Sequence, residues 1–128
     1  MKLLLDTQAL LWFLTDDPHL SAAAKSAIEN AANQCHVSIA SLWEIVIKLS
    51  LGKLRLPTRF TEIFPAQLQQ NGFTLLPIEI RHLQSLETLP DHHRDPFDRL
   101  LIAQSTSEGL TVITNDSAFP AYSPDIIW

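Results

Sequence analysis

The hydrophobic positions of this chain fall into short apolar runs separated by stretches with helical spacing. The first run, at residues 3–5, contains no polar residue, which is typical of a strand buried on both faces of a parallel sheet. Further strands are predicted at 35–38, 73–78 and 110–114, with a short edge strand at 125–128. Strands that alternate with helices indicate a parallel α/β sheet of four to five strands with right-handed crossovers.

Helices are predicted between the strands, at 8–15, 22–32, 39–51, 60–71, 81–88 and 95–107. Ser21 is a suitable N-cap for the second helix. Gly52 and Gly72 are expected to end the third and fourth helices, and Pro65 to bend the fourth.

The helix at 39–51 has apolar residues at a spacing that predicts a buried stripe. This stripe consists of Ile39, Leu42, Ile45, Val46 and Leu49. Glu44 stands off the stripe, four residues before Lys48. As a purely structural pair, the two would form an exposed ion pair that contributes about 0.3 kcal/mol.

Composition indicates one domain spanning residues 1–128, because 46% of the residues are hydrophobic and no low-complexity segment is present. The formal net charge of −5 argues against a general basic binder of nucleic acid. Cys35 is the only cysteine, which excludes an internal disulfide and fits a reducing cytoplasm. Asp6 interrupts the apolar N-terminal stretch where a secretion signal would be continuous, and no apolar run approaches the length of a membrane span.

Four acids lie where a parallel sheet would bring them together. Asp6 and Asp116 each follow a predicted strand, and ligand sites in such sheets lie outside the carboxyl ends of the strands. Asp98 falls in the first turn of the last helix, and Glu44 lies on the helix after the second strand. If the first and fourth strands are neighbours, all four face one crevice.

Each acid also has a structural explanation. Asp6 could cap the helix that follows it, and Asp116 could close an Asx turn. Asp95 before Pro96 is a suitable N-cap, with Asp98 three residues further on. Together, however, two carboxylates ~5 Å apart repel by roughly 3 kcal/mol at an effective dielectric constant of about 20. A cluster of such acids therefore requires a proton or a cation.

Carboxylate oxygens favour Mg²⁺ or Mn²⁺ over zinc. Such an ion lowers the pKa of a bound water and stabilises negative charge on a phosphate. The chain has no Walker loop, no GxGxxG turn and no zinc-type Cys/His spacing. His92 and His93 are neighbours whose rings would point apart in an extended loop, so a structural or substrate-edge role is favoured over metal ligation.

Basic residues are concentrated after the third helix, at Lys48, Lys53, Arg55 and Arg59. No acid lies between Glu44 and Glu62. The stretch is equally consistent with phosphate contacts and with solvated surface charge.

Several strings resemble the PIN-domain nucleases and, more narrowly, the VapC-type toxins of bacterial type II toxin–antitoxin pairs. They are Leu5-Asp6-Thr7, then Glu44, then the residues from Asp98 to Gln104 (DRLLIAQ), then Thr114-Asn115-Asp116. The fuller strings at 44–54 and 93–104 resemble one branch of that family. The resemblance spans essentially the whole chain.

The resemblance implies a single-domain, PIN-like α/β/α sandwich with strand order 3-2-1-4-5. It also implies Mg²⁺- or Mn²⁺-dependent endoribonuclease activity, inhibition by a small antitoxin, and homodimerisation. The family's catalytic and metal-binding acids carry over onto Asp6, Glu44, Asp98 and Asp116. Supporting roles fall to Asp95, Thr7 and Asn115, and the candidates for RNA contact are Lys48, Lys53, Arg55, Arg94 and Arg99.

Alternatives from other classes remain. A phospho-receiver domain would need paired acids after the first strand, and a haloacid-dehalogenase-type phosphatase would need a second acid beside Asp6, where Thr7 and Gln8 stand instead. A protein-binding domain whose acids are only caps is also consistent with the pattern. It would bind Mn²⁺ negligibly.

Overall fold

Five parallel strands form one sheet in the order β3-β2-β1-β4-β5. The computed structural model describes residues 1–122 and 124–128. The strands are β1 (Lys2–Leu5), β2 (Gln34–Ser38), β3 (Thr74–Leu76), β4 (Thr111–Ile113) and β5 (Ile126–Ile127). The strand order expected from the family resemblance is confirmed, and β1 lies in the middle of the sheet.

Helices cover both faces of this sheet. They are α1 (Thr7–Leu14), α2 (Ala22–Glu29), α3 (Ile39–Ser50), α4 (Phe60–Ile63), α5 (Ala66–Gln70), α6 (Ile80–Glu87) and α7 (Pro96–Glu108), followed by a 3₁₀ helix at Phe119–Tyr122. Within the described residues, no helix is both long enough and apolar enough to cross a lipid bilayer.

The first strand is buried on both faces, as its unbroken apolar run predicts. Leu3 and Leu5 pack into the core formed with α1, α2, α3 and α5. Leu4 points to the opposite face and packs with Leu101 of α7. Burial of each such leucine contributes about 2 kcal/mol, so β1 is a rigid support for the residues at its carboxyl end.

Two predicted helices differ from the structure by more than one residue at an end. The second ends at Glu29 instead of at residue 32, and Asn30 is its C-cap. The fourth is two short helices, because Pro65 ends α4 and precedes α5 instead of bending one continuous helix. Its predicted stop, Gly72, does adopt the left-handed conformation that favours glycine, with φ of +67°.

The predicted stripe of the third helix is also wrong in part. Ile39 and Val46 are 36% and 39% exposed, whereas Ser41 and Glu44 are buried. The buried face of α3 is therefore rotated toward polar residues. They are tolerated there because they form hydrogen bonds inside the site described next.

Candidate active site

The four predicted acids line a single cavity of about 260 Å³ at the carboxyl ends of the central strands. Leu5 of β1 pairs with Ile113 of β4, so the residues that follow these two strands emerge side by side. The cavity is lined by Asp6, Thr7, Gln8, Glu44, Lys48, Asp95, Asp98, Asn115 and Asp116. All four acids and all three predicted supporting residues thus meet at this edge of the sheet.

Asp6 connects β1 to α1 and is fixed from two sides. Its Oδ1 accepts the backbone N–H of Ala9 at 2.7 Å, so it is the N-cap of α1. The Thr114 side chain also hydrogen-bonds to it. Burial raises the pKa of Asp6 to about 6; these two hydrogen bonds oppose the rise, and the charges of Asp116 and Glu44 add to it.

Glu44 is buried, whereas a purely structural surface pair with Lys48 would leave it exposed. Only 5% of the residue is exposed. Its Oε1 accepts the Thr7 hydroxyl at 2.7 Å, and the Thr7 oxygen lies 3.0 Å from the Ser41 hydroxyl. Its Oε2 lies 2.9 Å from Nζ of Lys48, whose side chain reaches solvent at the cavity rim. The orientation of Glu44 is therefore set by residues of both α1 and α3.

Asp95 and Asp98 have different roles at the start of α7. Oδ1 of Asp95 accepts the N–H groups of Phe97 at 2.8 Å and Asp98 at 3.2 Å, so the predicted cap with Pro96 at the first helical position is confirmed. Asp98 points into the cavity. Burial raises its pKa to about 7, with further increases from Asp95, Glu44 and Asp116 and a decrease from His93.

Asp116 closes the cavity from the β4 side. Its Oδ1 accepts the N–H of Ala118 at 2.9 Å, which is the Asx turn predicted for this position. Its own N–H donates to the Thr114 hydroxyl at 3.0 Å. Because Thr114 also hydrogen-bonds to Asp6, one threonine links the carboxyl ends of β1 and β4.

His93 reaches the cavity, which the sequence reasoning did not anticipate. Its Nε2 lies 3.1 Å from Oδ2 of Asp98 and 3.1 Å from Oδ2 of Asp116. Its Nδ1 accepts the N–H of Asp95 at 3.2 Å, so in the neutral ring the proton is on Nε2 and points at the two carboxylates. In this tautomer His93 offers a hydrogen-bond donor instead of a lone pair. Two sequence features tie it to the site: its position two residues before the Asp95 cap, and its place as the first residue of the family-like string at 93–104.

The loop that carries His93 is held by Tyr122 and Arg99. The Tyr122 hydroxyl accepts the N–H groups of His92 at 2.8 Å and His93 at 2.7 Å. The Arg99 guanidinium donates to the carbonyl oxygens of Pro90 at 2.9 Å and Leu89 at 3.3 Å. Arg99, a predicted RNA-contact residue, anchors this loop in the structure.

The other predicted RNA-contact residues separate into two groups. Lys48 lines the cavity beside Glu44. Lys53, Arg55 and Arg94 are exposed, and in the described part of the chain none of the three lines the cavity. They are surface cations outside the cavity.

The donor set fits a divalent cation with oxygen ligands. Five carboxyl groups, those of the four predicted acids and of Asp95, line one small space, together with one lysine. Atoms of His93, Asp98 and Asp116 lie within 4.8 Å of one another. Cys35, the soft ligand that would favour zinc, is buried elsewhere in the core. The chemistry of the residues therefore suits Mg²⁺ or Mn²⁺.

Comparison with solved structures shows the same fold in bacterial toxin–antitoxin complexes. The VapBC2 complex of Rickettsia felis, bound to a DNA fragment from its promoter, has a TM-score of 0.73 at 13% identity, covering 99% of this chain and 98% of that one. DNA-bound VapBC from Salmonella typhimurium has a TM-score of 0.72 at 17% identity, covering 99% and 97%. VapBC-1 from nontypeable Haemophilus influenzae has a TM-score of 0.69 at 14% identity, with the same coverage.

Among curated proteins, none matches the chain in sequence. The family model of the PIN domain, in contrast, matches residues 3–123, which include every acid of the cavity. The chain belongs to the PIN domain family.

Proposed function

We propose that this chain is a Mg²⁺- or Mn²⁺-dependent endoribonuclease that hydrolyses RNA phosphodiester bonds and acts as the toxin of a toxin–antitoxin pair. The observation that carries the proposal is the convergence of Asp6, Glu44, Asp98 and Asp116 in one cavity of a PIN domain, a family of nucleases. Acids from four separate parts of the chain have no need to share a cavity if they serve only as caps.

Asp6, Glu44, Asp98 and Asp116 would hold the ion, with Asp95 as a further candidate. When bound, Mg²⁺ or Mn²⁺ supplies the Lewis acidity that activates water toward phosphorus and offsets charge on the phosphodiester. The protein contributes fixed positions for these carboxylates, since the Ala9 N–H and Thr114 hold Asp6 in place.

Residues beside the acids support substrate binding. The Thr7 hydroxyl holds Glu44 in its orientation, and Asn115 offers an uncharged amide to a phosphate or a water in the cavity. Lys48 places a cation at the rim, where it can meet the RNA backbone. Lys53, Arg55 and Arg94 extend this contact outside the cavity, whereas Arg99 is left out because it is bonded within the fold.

A small antitoxin is the proposed protein partner. Support comes from the structural neighbours, which include VapBC complexes and FitAcB from Neisseria gonorrhoeae. We further propose that residues 1–128 act as one domain, that the chain forms a homodimer, and that it works in the cytoplasm.

The direct test is cleavage of single-stranded RNA by the purified protein with Mn²⁺. We expect cleavage by the wild type, none in excess EDTA, and none by Asp6→Asn, which keeps a good N-cap for α1. Glu87→Gln, an exposed acid at the end of α6, is the matched control and should cleave normally. Wild-type cleavage that persists in excess EDTA would overturn the mechanism.

Metal affinity and toxicity separate the remaining alternatives. A protein-binding domain whose acids are only caps should show no Mn²⁺ binding by calorimetry, whereas the proposed site should bind and should weaken in Asp6→Asn. Expression of the wild type should arrest growth, and Asp6→Asn should relieve the arrest. A short reading frame for a DNA-binding protein immediately upstream would support the pairing with an antitoxin.

A further inference from the structure

We infer that Trp43 and Phe97, the aromatic pair, form a stacking platform for an unpaired nucleobase beside the acidic cavity. The inference rests on the proposed ribonuclease function and adds a subsite to it. The four acids can hold an ion and a phosphate, but a carboxylate cavity offers no apolar surface to a base.

The two rings are placed by the same helices that place the acids. Trp43 directly precedes Glu44 on α3, and Phe97 directly precedes Asp98 in the first turn of α7. Their ring centroids are 5.2 Å apart with an interplanar angle of 78°, an edge-to-face contact. The pair therefore joins the two helices immediately beside the cavity.

The indole of Trp43 has free surface for a ligand, since the residue is 58% exposed. The other two tryptophans are used differently. Trp12 and Trp128 lie 5.8 Å apart and pack, partly buried, against the main core. A single exposed aromatic residue is common on protein surfaces, and Trp43 differs in lying next to an acid of the cavity.

The negative charge of the protein makes an uncharged contact with RNA favourable beside the acidic cavity. The formal net charge is −5, and the cavity itself is acidic, so the protein as a whole repels the phosphate backbone of RNA. Lys48, the cation nearest the acids, is already paired with Glu44. Stacking on an aromatic ring adds affinity without phosphate contacts.

The chemical class of the ligand follows from this geometry. The exposed indole face of Trp43, braced edge-to-face by Phe97, recognises the face of a base and carries no hydrogen-bond code, so it accepts any base that is unstacked from its neighbours. In RNA such bases occur in single-stranded loops and ends. The subsite therefore favours single-stranded RNA over duplex RNA as the substrate.

The test is the affinity of a short fluorescent single-stranded RNA, measured by anisotropy in the non-cleaving Asp6→Asn background. Trp43→Ala should weaken binding by about 5- to 150-fold, and Trp43→Phe by much less, because stacking contributes about 1–3 kcal/mol per base. The loss should be the same at about 50 mM and about 200 mM salt, since no phosphate contact is removed. An RNA of the same length with abasic sites should bind both proteins equally.

Ile80→Ala removes a residue that is 75% exposed on α6 and controls for the loss of exposed apolar surface; it should leave affinity unchanged. Quenching of tryptophan fluorescence by the same RNA, lost in Trp43→Phe, provides a readout that does not depend on the folding of the alanine variant. Cleavage by protein with an intact Asp6 is measured in parallel, so that failure of the ribonuclease function appears separately.

Three results would overturn the platform while RNA cleavage remained intact. The first is an unchanged affinity in Trp43→Ala. The second is an equal loss on the abasic RNA, which would place the effect on the backbone. The third is dissociation of a dimer by Trp43→Ala in sedimentation analysis with unchanged RNA affinity, which would make the aromatic pair a contact between protein chains.

Discussion

Asp98 shows how a residue that is costly for folding can be essential for a site. Its carboxyl is mostly buried among other acids, and its pKa rises from 3.8 to about 7. Such a rise destabilises the folded protein above about pH 7, because the group must lose its proton where the charge is poorly solvated. The His93 donor offsets part of this cost.

The first prediction is that Asp98→Asn separates stability from activity. In EDTA at about pH 8 the variant should be more stable than the wild type by about 2 kcal/mol, because the amide removes the buried charge while the contact with His93 is only weakened. Cleavage of RNA should be lost. Denaturant unfolding and the RNA assay measure the two effects, and Glu87→Gln should change neither. A metal-free Asp98→Asn protein that is less stable than the wild type would contradict the inference that the charge of Asp98, buried among other acids, destabilises the fold.

The second prediction concerns His93, whose Nε2–H points at Asp98 and Asp116. If it acts as a donor, His93→Ala should lower the stability of the metal-free protein by about 1–3 kcal/mol, the cost of leaving buried acceptors without a partner. Mn²⁺ affinity should stay equal or rise, since a competing donor is removed. A loss of Mn²⁺ affinity in calorimetry would contradict this role, and a loss well beyond about 100-fold, more than removal of a hydrogen-bonding partner of a ligand costs, would identify His93 as a ligand.

At the scale of elements, the structure shows which features a sequence pattern can predict. The burial of β1 and the cap at Asp95 depend on local rules, namely an unbroken apolar run and an Asp-Pro start, and both are confirmed. The buried face of α3 depends on what packs against it. Ser41 and Glu44 are buried because Thr7, from another helix, completes their hydrogen bonds, and no periodicity within α3 reveals that partner.

The position of the loop that carries His93 was beyond prediction for the same reason. His93 reaches the cavity because Tyr122 and Arg99 hold its loop. In the sequence, Tyr122 lies 29 positions after His93, and Arg99 lies six positions after it. Their hydrogen bonds go to backbone groups, which carry no residue-specific pattern. The convergence of the acids could be predicted only through the strand order, which the family resemblance supplied.

The third prediction separates capping from ligation at Asp95. Asp95→Ala and Ser21→Ala each remove a side chain that accepts a backbone N–H at the start of a helix, α7 and α2 respectively. Each should lower the free energy of unfolding by about 1 kcal/mol. Only the first lies in the cavity, so a selective loss of Mn²⁺ affinity in Asp95→Ala would make it a ligand. Equal affinities in the two variants would limit it to its cap.

At the scale of the whole molecule, the acidic cavity couples stability to pH. The pKa values of Asp6 and Asp98 are raised to about 6 and about 7, so between about pH 4 and 7 the folded state binds more protons than the unfolded state. Stability therefore falls as the pH rises through this range.

The fourth prediction is that the metal-free protein is less stable at about pH 8 than at about pH 5. It should unfold at a lower temperature, and its free energy of unfolding should be lower by several kcal/mol. Saturating Mn²⁺ should remove most of this decrease, because an ion bound only to the folded state stabilises it and is bound best by ionised carboxylates. Calorimetric melting with EDTA or Mn²⁺ measures it. A metal-free protein that becomes more stable above about pH 7 would contradict the raised pKa values.

The fifth prediction tests whether the exposed cations guide RNA to this acidic protein. Lys53→Glu combined with Arg55→Glu should weaken RNA binding in the non-cleaving Asp6→Asn background and reduce the slope of log affinity against log salt by about 1.4, two phosphate contacts on a single strand. Lys2→Glu combined with Lys25→Glu gives the same net charge with the changes placed on β1 and α2. If both double variants lose affinity equally, only the overall charge matters. A slope that changes in the first variant alone locates the RNA path after α3, where it would lead from Lys53 and Arg55 past Lys48 to the carboxylates.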